Sequence, residues 1–600
     1  MIASAAAADL PGPPVPVPLR RVLTVVAGVG LLAGLTDDWI AAAETSTVAT
    51  LVITAGFLAV VVVAILALAA REERTLDRLD AVLLVVGLGV LLARFRGVFH
   101  AGFDYPTDEG RLGGLATEAV IHGHDPYAMS WPSIALHPGA TPLMSGGVVT
   151  KFAYPPVSLL VGAFLHLLHG SLATPAAATG LALMVTGVLC FVLLPRGIRV
   201  LSVLVVLGLG LLAPLAINGH LVFVALPFAC VAAYRWTGIG AGGRLGRGGI
   251  GRALCLGLAA ATQQLLWFPA VLLLLAVWLV RRGELSDRAA AAVLARFVAV
   301  GVVAFAVPNV PFVVADPHAW LSAMLSVFTQ HAVVYGQGLV ALSTVVVGHS
   351  GGLAFYSYAT VLLGIAFLAI STVGFRAVAR ALPVLPAALF VVSSRSESDY
   401  FVVLIPLWLV WAVTADTAAI EAARPLLASL TARWLSTPVR RVGAAIGALV
   451  PALACVAVAV ATPSPLDVRV TAAELTGARL TGLTVVVHND SGRAIRPSFL
   501  VNTRSRIRSP WHVLGRPRVP AHATRTLRLA PNPTSTLSTG APDWVFVTSG
   551  TPLAFTSARI RVRPQDITVV GPPGGPIQQS RTNCMRRLLT GRTGSCGPAD

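Results

Sequence analysis

The sequence predicts a polytopic α-helical membrane protein of about thirteen spans, with a C-terminal extracytoplasmic β-sandwich domain. Three observations predict it. Mean hydropathy is +0.79 over 600 residues, of which only 12% are charged. Apolar runs recur at close to the ~20 residues that cross a hydrocarbon core. After Thr462 those runs stop, and alternating stretches such as 483–488 and 544–548 stand among Pro, Gly, Ser and Thr turn signals.

Arginine positions order the elements. Residues 1–21 form a tail ending in Arg20 and Arg21, ahead of the first span. Arg71, Glu72, Glu73, Arg74 and Arg78 follow the second span, and Arg196 and Arg199, the 235–252 group, Arg281 and Arg282, Arg376 and Arg380, and the 424–441 group mark later loops. Short arginine-rich loops stay in the cytoplasm. Spans then fall near 22–40, 47–70, 81–99, 174–195, 200–214, 219–234, 252–264, 266–281, 290–312, 353–373, 382–393, 400–415 and 442–462, several of them short. Parity puts the loop 100–153, residues 311–352, residues 393–399 and everything after Thr462 outside the cell membrane. The apolar stretch 154–169 does not fit as a crossing, because one more span would place Arg196 and Arg199 outside; it reads as a re-entrant or surface-lying helix. The basic start followed by Ala41, Ala42 and Ala43 is also compatible with a signal peptide, although the first span is read as uncleaved. The units that follow are a membrane domain at 22–462, a β-rich domain at 463–570 and a tail at 571–600.

The formal charge of +18 does not point to nucleic acid, since the arginines sit between apolar runs and in the C-terminal part. Orientation and lipid headgroups account for them. Six cysteines are too few for a disulfide framework, and Cys190, Cys230, Cys255 and Cys455 lie in apolar runs where the side chain acts as a small hydrophobe. Only Cys584 and Cys596 are expected to pair, in an oxidising exterior.

Chemistry is expected between Phe103 and Tyr127, where Asp104, Asp108, Glu109, Glu118 and Asp125 crowd into a chain otherwise poor in charge. Charges beside a bilayer are costly unless something uses or neutralises them, although a solvated loop has the same composition. A helix from Gly110 to Val120 would set Asp108 and Glu109 at its N-terminus, where the helix dipole favours ionised carboxylates. A plain N-cap looks the same. Forty-three of the forty-four basic residues are arginine; the single lysine, Lys151, stands three residues before Tyr154-Pro155-Pro156. Those prolines restrict the backbone and suit a change of chain direction at the membrane surface. A second polar patch, 393–400, precedes an apolar span and contains Arg395 and Tyr400.

The order Asp108-Glu109, Ala116, Gly123-His124-Asp125-Pro126-Tyr127, Tyr154-Pro155-Pro156 and Asn218-Gly219-His220 resembles the GT-C glycosyltransferase superfamily. It looks most like the bacterial polyprenyl-phosphate-mannose-dependent α-mannosyltransferases, with arabinofuranosyltransferases as the near alternative. The likeness covers 80–415 loosely and is most specific over 104–156. It implies an inverting transfer from a polyprenyl-monophosphate sugar to an envelope glycan or glycolipid, carried out by a multi-pass protein on the outer face of the plasma membrane. Asp108 is then the general base, Asp104 its nearest rival, and Glu109 a residue that orients Asp108 or binds a hydroxyl. Lys151 and Arg395 would meet the donor phosphate, and Asp125, Tyr127, Tyr154, His220, Gln264 beside Gln263, His331 and Tyr400 would contact substrate. His220 stands where the mannosyltransferase pattern has Gly-Gln, so the sugar stays open. The resemblance implies no cofactor and no metal, and His122 and His124 lack the spacing of a metal site. Two other classes compete: a transporter or flippase of lipid-linked sugars, expected to show inverted repeats and midplane charges, and a scaffold whose acids tolerate replacement.

Overall fold

The computed structural model describes residues 15–96, 105–137, 139–170, 174–424, 426, 437–476, 479–503, 506–531, 544–570 and parts of 582–590. Asp104, Cys584 and Cys596 lie outside the described residues.

The described chain is mostly helical up to Ala461, as its apolar runs require. Among the described residues, seven helical segments are long and apolar enough to cross a membrane: Val17–Gly34, Thr47–Ala69, Pro175–Leu193, Gln264–Glu284, Asp287–Ala315, Ala354–Val373 and Gly443–Ala461. Helix Glu73–Arg96 has 24 residues but carries charge at both ends. The remaining expected crossings are short or broken, and proline and glycine explain it. Proline removes a backbone donor and clashes with the preceding turn, and glycine adopts conformations that end a helix. The 200–214 run becomes helix Val200–Ser202, a wide turn Val203–Leu207, left-handed Leu209 and Gly210, and helix Ala213–Ile217 with Pro214. Pro227 lies inside Val222–Ala233, Pro383 and Pro386 divide the 382–393 run, and Pro406 opens Ile405–Thr414. Helix Val157–Leu168 has 12 residues. At 1.5 Å per residue that is about 18 Å, well short of a ~30 Å hydrocarbon core.

The arginine-rich loops gather in ion pairs and caps. Arg20 and Arg199 meet Asp77, Arg282 and Arg424 meet Asp287, and Arg376 donates to the Ala423 carbonyl.

The strands are β1 (Tyr335–Gly336), β2 (His349–Ser350), β3 (Arg395–Ser396), β4 (Leu466–Thr476), β5 (Arg479–Asn489), β6 (Ser498–Thr503), β7 (Arg506–Leu514), β8 (Thr524–Pro531), β9 (Trp544–Gly550), β10 (Leu553–Arg559) and β11 (Ile567–Val570). β1 and β3 form a parallel pair between two loops of the helical part. The C-terminal strands form one continuous ladder in the order β11-β4-β5-β8-β7-β6-β9-β10-β2, where two packed sheets were expected. Register shifts at Val470/Ala472, Glu474/Leu475 and Val501/Asn502 bend the strands. The sheet curls until β4 and β10 touch, around Val485, Val487, Phe499, Trp511 and Val547.

β2 belongs to the helical part of the chain, yet it completes the sheet through Phe555↔Ser350 and Thr556↔His349. A second apolar core, with Met144, Val333, Val340, Tyr356 and Val456 from the helical part and Leu500, Phe546 and Phe555 from the sheet, seals the joint. The segments that parity groups on one side are therefore in contact with one another.

Candidate functional site

Helix Asp108–Ile121 starts at an N-cap, Thr107, whose Oγ1 accepts from Gly110 N at 3.4 Å and donates to Asn218 O at 3.1 Å. Two glycines let the helix start press against the 218–220 turn. Gly219 has φ +76°, and a Cβ there would lie 2.9 Å from Gly110 Cα. That approach aims the first two acids of the helix at residues far away in sequence.

Glu109 Oε1 accepts from Leu221 N at 2.9 Å and from Gln263 Nε2 at 3.3 Å, and Oε2 lies 3.4 Å from His220 Nδ1. His220 Nδ1 also stands 3.6 Å from Asp399 Oδ2. Asp399 follows β3, where Arg395 forms an ion pair with Glu397, and the Tyr400 ring stacks on Phe390 at 4.4 Å. β3 is held by β1, with Gln337 N donating to Ser396 O at 2.7 Å and Gly336 at φ +134° against the Ser396 backbone. Asp108 is held differently from its neighbour: its Oδ2 accepts from Thr141 N at 3.1 Å, and the Thr141 side chain bonds to the carboxyl as well.

Burial pushes the Asp108 carboxyl above the ordinary aspartate value, opposed by the Thr141 hydrogen bonds and the Arg395 charge. For His220, burial alone would lower the pKa, but the Glu109 hydrogen bond and the Glu109, Asp399 and Glu397 charges outweigh it and raise the value to about 9. Burial lifts Asp399 to about 6, against the pull of His220. At neutral pH the imidazolium is thus clamped between Glu109 and Asp399, whereas Asp108 is tied to Thr141.

The structure brings together Asp108, Glu109, His220, Arg395, Tyr154 and Tyr400; the Tyr154 phenol is held protonated by burial and by the nearby Glu109 and Asp108 charges. Other expected site residues stand apart. Tyr127 is 1% exposed, donates from its hydroxyl to Tyr154 O at 2.8 Å and meets Phe312 edge-on at 5.3 Å, so it supports the Tyr154 segment from within the core. Asp125 Oδ1 accepts from Tyr127 N at 3.0 Å in a tight turn. Gln264 is buried and donates to Ala153 O at 2.6 Å; it is Gln263 that faces Glu109. His331 is exposed at φ 49°, and Lys151 is exposed with no hydrogen bond or ion pair among the described residues.

Glu397 and Asp399 were missed as site residues. Their signal was present, because they alternate with Arg395 in the same octapeptide ahead of an apolar run. Thr141 offered none, since its bonds to Asp108 depend on a contact made only in the fold.

The chain matches no protein-family model and no curated protein.

Proposed function

We propose that this chain is an inverting glycosyltransferase of the cell membrane that moves a sugar from a polyprenyl-monophosphate carrier to an envelope glycan or glycolipid on the outer face. One observation supports the reading above the others: the Asp108 carboxylate, bonded to Thr141, lies within the field of Arg395, an always-charged group, in a site assembled from distant loops of a membrane protein.

The chemistry asks for those two groups. A sugar hydroxyl is a poor nucleophile at neutral pH, so Asp108 takes its proton as the hydroxyl oxygen bonds to the anomeric carbon. The bond from that carbon to the phosphate oxygen breaks, and its electron pair leaves on the phosphate. Arg395 meets the charge that develops there. A buried carboxyl has a raised proton affinity, which brings a carboxylate base closer to working pH. Glu109 already has Leu221, Gln263 and His220 as partners, so it orients the helix start and the acceptor side and leaves proton removal to Asp108. Lys151 is exposed and free to meet phosphate on entry.

The test offers polyprenyl-phosphoryl mannose and polyprenyl-phosphoryl arabinofuranose separately to purified protein in lipid, with an envelope glycan extract and radiolabelled sugar. Transfer from one donor, lost in Asp108→Asn, is the expected result. Binding of both donors with transfer from neither would overturn the proposal in favour of a lipid-linked sugar carrier or a scaffold.

A further inference from the structure

A hairpin at 141–149 runs from the Asp108 carboxylate to the C-terminal sheet. At its base, Thr141 N donates to Asp108 Oδ2 at 3.1 Å, and Val149 N closes the hairpin on Thr141 O at 2.9 Å. Its middle bridges Pro142 with Val148 and Leu143 with Ala332, Met144 N donates to His331 O at 2.9 Å, and Val333 N donates to Pro142 O at 2.8 Å. At its tip, the fully buried Thr548 of β9 donates from Oγ1 to Met144 O at 3.0 Å. The fit there is close. A Cβ on Gly550 would lie 2.9 Å from Ser145 Cβ, and one on Gly146, at φ +91°, would lie 2.7 Å from Ser498 Oγ. The 331–334 segment then continues into β1, which pairs Tyr335 with Arg395. One platform therefore carries both the amide and the guanidinium that act on Asp108.

We propose that the C-terminal sheet is a positioning element for Asp108: Thr548, acting through Met144 and the 141–149 hairpin, holds the Thr141 amide against the carboxylate. The consequence for transfer rests on Asp108 being the proton acceptor, whereas the positioning itself rests on the chain of hydrogen bonds. The groups that face Asp108 are Glu109 from its own helix, Arg395 from β3, Tyr154 from the segment ahead of helix Val157–Leu168, and Thr141 from the hairpin. All belong to the helical part of the chain, so the sheet reaches the carboxyl through the hairpin.

The experiment labels the full chain in lipid with a water-soluble carbodiimide, which attacks protonated carboxyls, and follows the Asp108 peptide by mass spectrometry across pH without any substrate. Thr548→Val keeps the shape and removes the hydroxyl; Thr548→Ser keeps the hydroxyl. The midpoint of Asp108 labelling should rise by about half a pH unit in Thr548→Val, part of the worth of one hydrogen bond, and return in Thr548→Ser. Gly550→Ala, whose methyl group must displace Ser145, should raise the midpoint too while leaving the hydroxyl in place. An unmoved midpoint in Thr548→Val and Gly550→Ala, or no recovery in Thr548→Ser, overturns the proposal. A moved midpoint in a protein that transfers no sugar upholds the positioning and sinks the transferase reading instead, so the two failures are distinct.

Discussion

Helix Glu73–Arg96 begins in a cluster of charges that is closed and ends beside one that is not. At its start, Arg20, only 3% exposed, lies 2.7 Å from Asp77 and 3.5 Å from Asp80; Thr24 donates to Asp80 at 2.8 Å, and Arg199 reaches Asp77 at 3.1 Å. Two arginines meet the two less exposed carboxylates, with the exposed Glu73 at 4.0 Å from Arg20, and three elements are tied together. At its far end, Phe95 packs on Gly180, one turn from the Ala176 amide that holds Tyr105 beneath the start of helix Asp108–Ile121. There, among the described residues, the cations that face Asp108, Glu109, Glu397 and Asp399 are Arg395 and His220, and Asp399 Oδ1 and Arg395 Nε are buried without a partner. Burying charge is costly in both places. A balanced set repays that cost by joining helices, whereas an acid-rich set with idle atoms leaves room for a ligand to complete it.

The contrast breaks most sharply under substitution. Arg20→Met leaves the buried Asp80 with Thr24 as its remaining partner and Asp77 with Arg199, and should cost about 3–5 kcal/mol of stability, read from thermal or denaturant unfolding in detergent, with transfer per folded molecule unchanged. Asp108→Asn should reverse that pattern, lowering transfer by ~10²-fold or more at an unchanged melting temperature. The His220 clamp sharpens the comparison through pH. Its pKa rises from 6.5 to about 9, so the native state holds more protons than the unfolded one between those values. The clamp's stability is complete below 6.5 and is lost as pH rises through about 9; Asp399, raised from 3.8 to about 6, contributes a loss of the same sign at lower pH. Melting temperature should fall across the upper window in the wild type and flatten in His220→Gln. The smallest effect belongs to Lys151→Ala: an exposed cation is worth ~0.2–1 kcal/mol, so the donor KM should rise only about 1.4- to fivefold at constant acceptor KM.

Much of the architecture is legible in the residues themselves. Apolar run length marks a helical membrane protein, and the change to alternation after Thr462 marks the β-rich end. Hydropathy is blind to backbone breaks, which is why Pro214, Pro227, Pro383, Pro386 and Pro406 turn expected crossings into short pieces. In the site, Asp108 and Glu109 stand out because acids are scarce in such a chain, and Arg395 and Tyr400 because they interrupt an apolar stretch. The contact between His220 and Asp399 was not legible. It depends on the 335–338 loop holding β3, and on Gly110 and Gly219 meeting, features of tertiary packing that have no local pattern. Tyr127 and Gln264 lie in the core, where the Tyr127 hydroxyl and Gln264 Nε2 each donate to a backbone carbonyl and Gln264 Oε1 is buried without a partner among the described residues.

The most direct measurement takes transfer rate per folded molecule and melting temperature together, for Asp108→Asn and Arg20→Met reconstituted in the same lipid. Asp108→Asn is expected to melt like the wild type and transfer almost nothing, while Arg20→Met melts early and transfers normally while folded. An Asp108→Asn protein that still transfers sugar, or one that loses transfer only in proportion to lost folding, would contradict the assignment of the open cluster as the reacting site.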